Sequence, residues 1–166
     1  SSLFKSILGL VPYSHGEIKI LGKPIEEVRK KIAYVPQKGN VDWSFPATVR
    51  DIVSMGRYPH LKIFDPFGRK DKAITNEALE QLGIRDLANR QIGALSGGQQ
   101  QRVFLARALA QNADIFFLDE PFVGVDVTTE EKIIEILKEI STKGKTVLVV
   151  HHDLSTAKEY FDKVIL

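Results

Sequence analysis

Short runs of β-branched and aromatic residues alternate along the chain with longer stretches whose apolar positions recur every three or four residues, the pattern of an α/β protein. Ser2–Leu10 sets Leu3, Ile7 and Leu10 on one helical face. Gly16–Gly22 alternates with period two between glycines and reads as a strand or hairpin arm. Ile32–Val35 is a short apolar strand that ends at Pro36-Gln37. From Lys38 to Gly68 the chain is less regular and rich in aromatics, Gly and Pro, with Thr48 placed to cap a short helix over Val49–Met55. Arg69–Leu82 is helical and is stopped by Gly83. Gln99–Ala110 is a second strong helix, carrying Val103, Leu105, Ala106 and Leu109 among polar positions. Ile115–Leu118 reads as a buried strand, Thr128–Ile140 as a helix closed by Gly144, and Thr146–Val150 as another buried strand. Lys163–Leu166 opens a further strand. Residues from about 40 to 110 carry no strand signal, whereas the remainder alternates strand and helix. The expectation is one α/β domain over 1–166, a mostly parallel sheet with a helical subdomain inserted at about 40–110.

Composition narrows the functional classes. The 166 residues are 43% hydrophobic and 27% charged, the balance of one folded domain. With 23 Lys+Arg against 21 Asp+Glu, the chain lacks the strong positive excess of a nucleic-acid-binding surface. The absence of cysteine excludes disulfide frameworks, zinc knuckles and thiol chemistry. Apolar runs are far too short for a membrane span, and no leader-like segment opens the chain, so a cytoplasmic location is expected. The first residue is Ser, as expected of a chain that starts partway through a longer protein.

Four places carry candidate chemistry. Leu95-Ser96-Gly97-Gly98-Gln99 runs directly into a helix. Glycines at a helix start allow close backbone approach, and free N–H groups at the positive dipole end favour an anion such as phosphate; the plainer reading is a Ser N-cap and a turn. Ile115–Leu118 ends in Asp119-Glu120-Pro121, two adjacent carboxylates at a strand end where open α/β sheets bind ligands. Asp119 suits Mg²⁺, and Glu120 could orient or deprotonate an attacking water. The strand Thr146–Val150 ends in His151-His152-Asp153, where one ring could reach a phosphate oxygen; adjacent positions on an extended chain face opposite ways, so the two rings are no metal pair. Gln37 stands at the end of Ile32–Val35, just before the insertion.

Taken in order, these pieces resemble the nucleotide-binding domain of ATP-binding-cassette (ABC) proteins, a P-loop NTPase fold. The resemblance makes Gln37 the Q-loop, Leu95–Gln99 the signature motif, Ile115–Asp119 Walker B with catalytic Glu120, Val125-Asp126 the D-loop, and His152 the switch histidine, since it precedes Asp153-Leu154. It implies ATP and Mg²⁺ as cofactors, with Ser1, Ser2, Gln37, Leu95, Ser96, Gly97, Gly98, Gln99, Asp119, Asp126 and His152 near the nucleotide. Ser1, Gln37 and Asp119 would serve the Mg²⁺, and Glu120, His152 and Gln37 the hydrolysis. The stretch Val41–Asp51 with Met55-Gly56-Arg57-Tyr58 looks like the ATPases of manganese, zinc or iron importers. That implies a homodimer of nucleotide-binding domains at the cytoplasmic face of the cell membrane. Its partners would be integral-membrane permease subunits and, through them, a metal-binding extracytoplasmic protein, with no nucleic acid involved.

The family's phosphate loop has the form G-x-x-x-x-G-K-[ST]. Ser1-Ser2-Leu3-Phe4-Lys5 resembles the residues directly after its Lys, so the glycines, the Lys and the strand before them would lie upstream of Ser1. The stretch as given is then expected to show an uncovered sheet edge and to hydrolyse ATP poorly by itself. Two other classes fit parts of the pattern. A soluble ABC ATPase acting on nucleic acid or ribosomes would show salt-dependent nucleic-acid binding, and an inert cassette fragment would show no nucleotide binding.

Overall fold

Three of the predicted apolar runs pair side by side in a computed structural model that describes residues 2–37, 46–62 and 65–165, the side chain of Leu154 excepted. In chain order the elements are α1 (Ser2–Ile7), α2 (Ile25–Val28), β1 (Ile32–Val35), α3 (Val49–Ser54), α4 (Arg69–Gln81), α5 (Gly97–Ala110), β2 (Ile115–Asp119), α6 (Val127–Thr142), β3 (Thr146–Val150) and α7 (Leu154–Tyr160). The sheet order is β1-β2-β3 and both pairings are parallel, with Ile32 opposite Ile115 and Ile115 opposite Thr146. Central β2 is apolar along its first four positions and buried along all five, as a parallel strand covered on both faces must be.

Strand alternation sends side chains to two cores. Ala33, Val35, Phe116 and Leu118 meet α3, α4, α5 and α6 in one continuous cluster. Ile32, Ile115 and Phe117 face the other way and pack with Phe4 and Leu8, the Phe4 and Phe117 rings meeting edge to face at 4.9 Å. β3 is only half-buried along Val147–Val150, and β2 is its one strand neighbour among the described residues.

Several local expectations need correcting. The first helix ends at Ile7, short of the predicted Leu10; Phe4 and, just past the helix, Leu8 are buried and Ile7 packs partly against them, while Leu3 and Leu10 lie exposed, because the sheet covers a face one residue round from the predicted stripe. Gly16–Gly22 forms no strand; only an isolated bridge joins Ile20 to Lys23 around a turn with Leu21 and Gly22 both at positive φ. Lys163–Ile165 is likewise irregular. Helix α5 begins at Gly97, two residues before the predicted start. Ser96 accepts from the Gln99 N–H at 3.3 Å while the Gln99 side chain accepts from the Ser96 N–H at 3.0 Å, a capping box that draws both glycines into the first turn. Thr48 caps α3 in the same reciprocal way with Asp51, and Gly83 follows α4 at φ +60°.

Candidate functional site

Because the three strands are parallel and in register, β1, β2 and β3 end side by side, and the residues that follow them meet over one edge of the sheet. Glu120 is the centre of that meeting. Its N–H extends the ladder by donating to Val150 O at 3.2 Å, and its backbone then turns to φ +54°. A left-handed non-glycine residue is uncommon and is the kind of local strain found at functional sites. Gln37 Nε2 donates to Glu120 Oε2 at 2.8 Å, and His152 Nε2 stands 2.8 Å from Glu120 Oε1. Both carboxylate oxygens are therefore engaged, one from the strand-end loop on either side. The His152 hydrogen bond and charge, with help from Gln37, hold the Glu120 carboxyl below the usual carboxylate range against the opposing push of burial.

Asp119, one residue earlier, is fully buried. By alternation it shares the face of Ile115 and Phe117, the face on which α1 packs. Sequence reasoning missed its neighbour Tyr34. Burial first, and the Asp119 carboxylate second, raise the Tyr34 phenol above its ordinary pKa. The strand register sets Tyr34 opposite Phe117 and so two positions from Asp119 on the same face, a placement with no local signature in the sequence.

His151 is engaged elsewhere. Its Nε2 lies 2.8 Å from Thr156 Oγ1, and its ring packs edge-on against Phe122 and Phe161. The alternation of an extended chain thus gives His152 to Glu120 and His151 to an aromatic cluster.

Leu95, Ser96, Gly97, Gly98, Gln99 and Asp126 form a second group. Ser96 and Gln99 are turned onto each other, and Asp126 caps α6 by accepting from Thr129 N–H at 2.9 Å and Thr129 Oγ1 at 2.8 Å. Those bonds hold the Asp126 carboxyl below its ordinary pKa. The two helix starts touch at Gly98, where an added Cβ would meet Thr129 Cγ2 at 3.5 Å and Asp126 Oδ2 at 3.7 Å. Those are ordinary contacts at a normal φ, so the fold of this chain does not demand glycine at 98. Ser2 opens α1 at the surface, and Leu95 is buried beneath the turn before α5. Ser1 and the stretch 38–45 lie outside the described residues, which leaves Pro46–Asp51 and Met55–Tyr58 of the importer-like segment in view.

Chemically, the first group offers an ionised carboxylate held by an amide and an imidazole beside a buried carboxylate. A single carboxylate of that kind suits Mg²⁺, which takes one or two protein oxygens and fills its shell with phosphate oxygens and water. Asp119 supplies such an oxygen, and giving Nε2 to Glu120 turns the Gln37 amide oxygen away from that carboxylate. Among the described residues, no helix is long and apolar enough to cross a membrane.

Comparison with known proteins gives a consistent result. The family model described as "ABC transporter" matches residues 1–123. The manganese transport system ATP-binding protein MntB of Bacillus subtilis is 55% identical over 166 residues, all of this chain and 66% of that protein. The zinc transport system ATP-binding protein TroB of Treponema pallidum is 53% identical, this chain spanning 62% of its length. Among solved structures, the dimeric bacterial ABC transporter cassette MJ0796 superposes with a TM-score of 0.80 at 30% identity, over 95% of this chain and 71% of that one. A nucleotide-free ATP-binding cassette from an ABC transporter shares the fold at a TM-score of 0.80 and 24% identity, over 97% of this chain and 69% of its own.

Proposed function

Since this chain belongs to the ABC transporter family, we propose that it is part of the ATP-binding and ATP-hydrolysing subunit of an importer for a metal ion of the manganese, zinc or iron class. The observation that carries the reading is the Glu120 carboxylate, set at the end of β2 beside buried Asp119 and gripped by Gln37 and His152. In-line phosphoryl transfer asks for a positioned water, and a carboxylate oxygen at that place orients it and takes its proton. In the state described here both oxygens are occupied. A γ-phosphate entering between Gln37 and His152 would draw those donors onto its own oxygens, leaving Glu120 to the water. The depressed pKa belongs to the engaged state, and loss of the His152 contact raises the basicity of the carboxylate when the nucleotide is in place.

Mg²⁺, when bound, neutralises charge on the β- and γ-phosphates; Asp119 and Gln37 would hold it, with Ser1. Ser2 would lie beside the phosphates at the start of α1. Leu95, Ser96, Gly97, Gly98 and Gln99, with Asp126 beside them, would face the nucleotide of a second copy. The first turn of α5 offers backbone N–H groups and a dipole end. The protein would thus work as a homodimer at the cytoplasmic face of the cell membrane. It would be bound through its helical subdomain, about 40–110, to permease subunits served by an extracytoplasmic metal-binding protein. Calorimetric titration of the full-length protein with MgATP tests the site: micromolar binding is expected, and no heat at millimolar ATP would rule the reading out.

A further inference from the structure

The turn Met55–His60 takes no part in the site, yet it is among the most firmly anchored pieces of chain. Arg57 is 6% exposed. Its Nε donates to Asp71 Oδ1 at 3.0 Å and its Nη1 to Ala110 O at 2.8 Å. Asp71 lies in the first turn of α4, where its other oxygen accepts the Gly68 N–H at 3.2 Å. One guanidinium therefore joins the turn, the start of α4 and the end of α5. Three residues on, His60 Nε2 lies 2.6 Å from Gln111 O, so two successive carbonyls at the end of α5 are held from the same turn.

That end of α5 in turn holds β1. Lys31 O accepts from Asp114 N–H, so by the alternation of a parallel ladder the carbonyls of Ile32 and Tyr34 point to the outer edge of the strand. Gln111 Nε2 donates to Ile32 O at 2.6 Å and Arg107 Nη2 to Tyr34 O at 3.4 Å. Beyond Tyr34 the strand runs through Val35 and Pro36 to Gln37, and Gln37 reaches Glu120. A continuous series of direct contacts thus runs from α4 through Arg57 and the last turn of α5 to the residue that touches the candidate base. A buried ion pair is weak as a source of stability, because apolar side chains of similar volume usually pack at least as well. What a two-armed guanidinium adds is a fixed geometry between three elements.

We propose that Arg57 is a positioning residue that makes the last turn of α5 a rigid joint, through which movement of α3 and α4 is delivered to β1 and Gln37. The inference rests on the reading of Gln37 as a nucleotide contact. The test is hydrogen exchange on the full-length protein with and without MgATP. In the unaltered protein, MgATP slows exchange both in 32–37 and in the helices 49–54 and 69–81. In the double variant Arg57→Met with Asp71→Leu, which removes both buried charges together, ATP affinity stays within about twofold and the slowing at 32–37 persists, while the response of the two helices falls to roughly a quarter or less. A full helix response in that variant overturns the proposal, since restored packing would then suffice. If the double variant does not fold, Arg57→Lys decides: a single nitrogen replaces the two guanidinium nitrogens that reach Asp71 and Ala110 and loses their fixed fork, so the helix response drops by about half or more, and an undiminished response refutes the joint. Heat of MgATP binding with no exchange change in the helices of the unaltered protein also refutes it, whereas absence of heat refutes the nucleotide reading of the site instead.

Discussion

Gly56 is required by close packing, and Gly56→Ala shows how much the joint between the Met55–His60 turn and α5 contributes to the fold. A Cβ at 56 would stand 2.2 Å from Arg107 O, with Ala110 Cβ and Gln111 N both at 3.1 Å. The obstacle is helix backbone, which cannot rotate aside as a side chain does. Relief requires the turn to back away by about 1 Å, beyond the reach of the Arg57 bond to Ala110 O and the His60 bond to Gln111 O. Overpacking of this kind costs about 1–3 kcal/mol. The two stretched hydrogen bonds add roughly 1 kcal/mol each, and the lower chain entropy of alanine returns about 0.5–1 kcal/mol. The net destabilisation is about 2–4 kcal/mol, which in a domain of this size lowers the melting temperature by roughly 5–15 °C. Thermal unfolding followed by circular dichroism on the full-length protein is the assay, with urea titration confirming that the midpoint moves and the slope does not. A melting temperature unchanged by the substitution would refute the packing argument.

Gly98→Ala makes the opposite case: its Cβ meets only ordinary contacts with Thr129 and Asp126 at a normal φ, so the melting temperature stays within a few degrees of the unaltered protein. A fall comparable to that of Gly56→Ala would show that the two helix starts are packed too tightly for a methyl group. The Arg57 hydrogen bond holds the Asp71 carboxyl below its usual range. Its stabilising contribution is therefore full above the ordinary carboxylate pKa and is lost as pH falls through the depressed value; Arg57→Met flattens that limb of the pH–stability curve, and an unchanged acid limb would assign it to other groups. Ser96→Ala removes the N-cap of α5 and costs about 1 kcal/mol in denaturant unfolding, against no change if the cap carries nothing.

Much of the fold was legible because period and punctuation agreed. Ile32–Val35, Ile115–Leu118 and Thr146–Val150 are short β-branched or aromatic runs, and all three form the parallel sheet. Arg69–Leu82 and Thr128–Ile140 carry clear helical periodicity and fall within one or two residues of α4 and α6. The two glycines at 97 and 98 mask the start of α5, although Ser96 and Gln99 three apart are a capping pair that overrides weak glycine propensity. Gly16–Gly22 failed for a different reason: alternation makes a strand only where another strand lies alongside, and sequence does not reveal a neighbour.

At the site, the order of motifs pointed to Gln37, Glu120 and His152, and the geometry brings these three together. Which oxygen each donor takes, and the positive φ at Glu120, are tertiary facts without a local signature. Tyr34 and Arg57 were illegible for the same reason. A tyrosine in a strand and an arginine in a Gly-Arg-Tyr-Pro turn look like surface residues until register and burial place them.

The central claim is that the Glu120 carboxylate, released from Gln37 and His152, positions the attacking water. Steady-state ATP hydrolysis by the full-length protein and its Glu120→Gln variant, with MgATP binding measured on both, tests it most directly. Binding is expected to persist while turnover falls by about 100-fold or more, the contribution of a positioned general base. Turnover in the variant at the rate of the unaltered protein would remove Glu120 from the reaction.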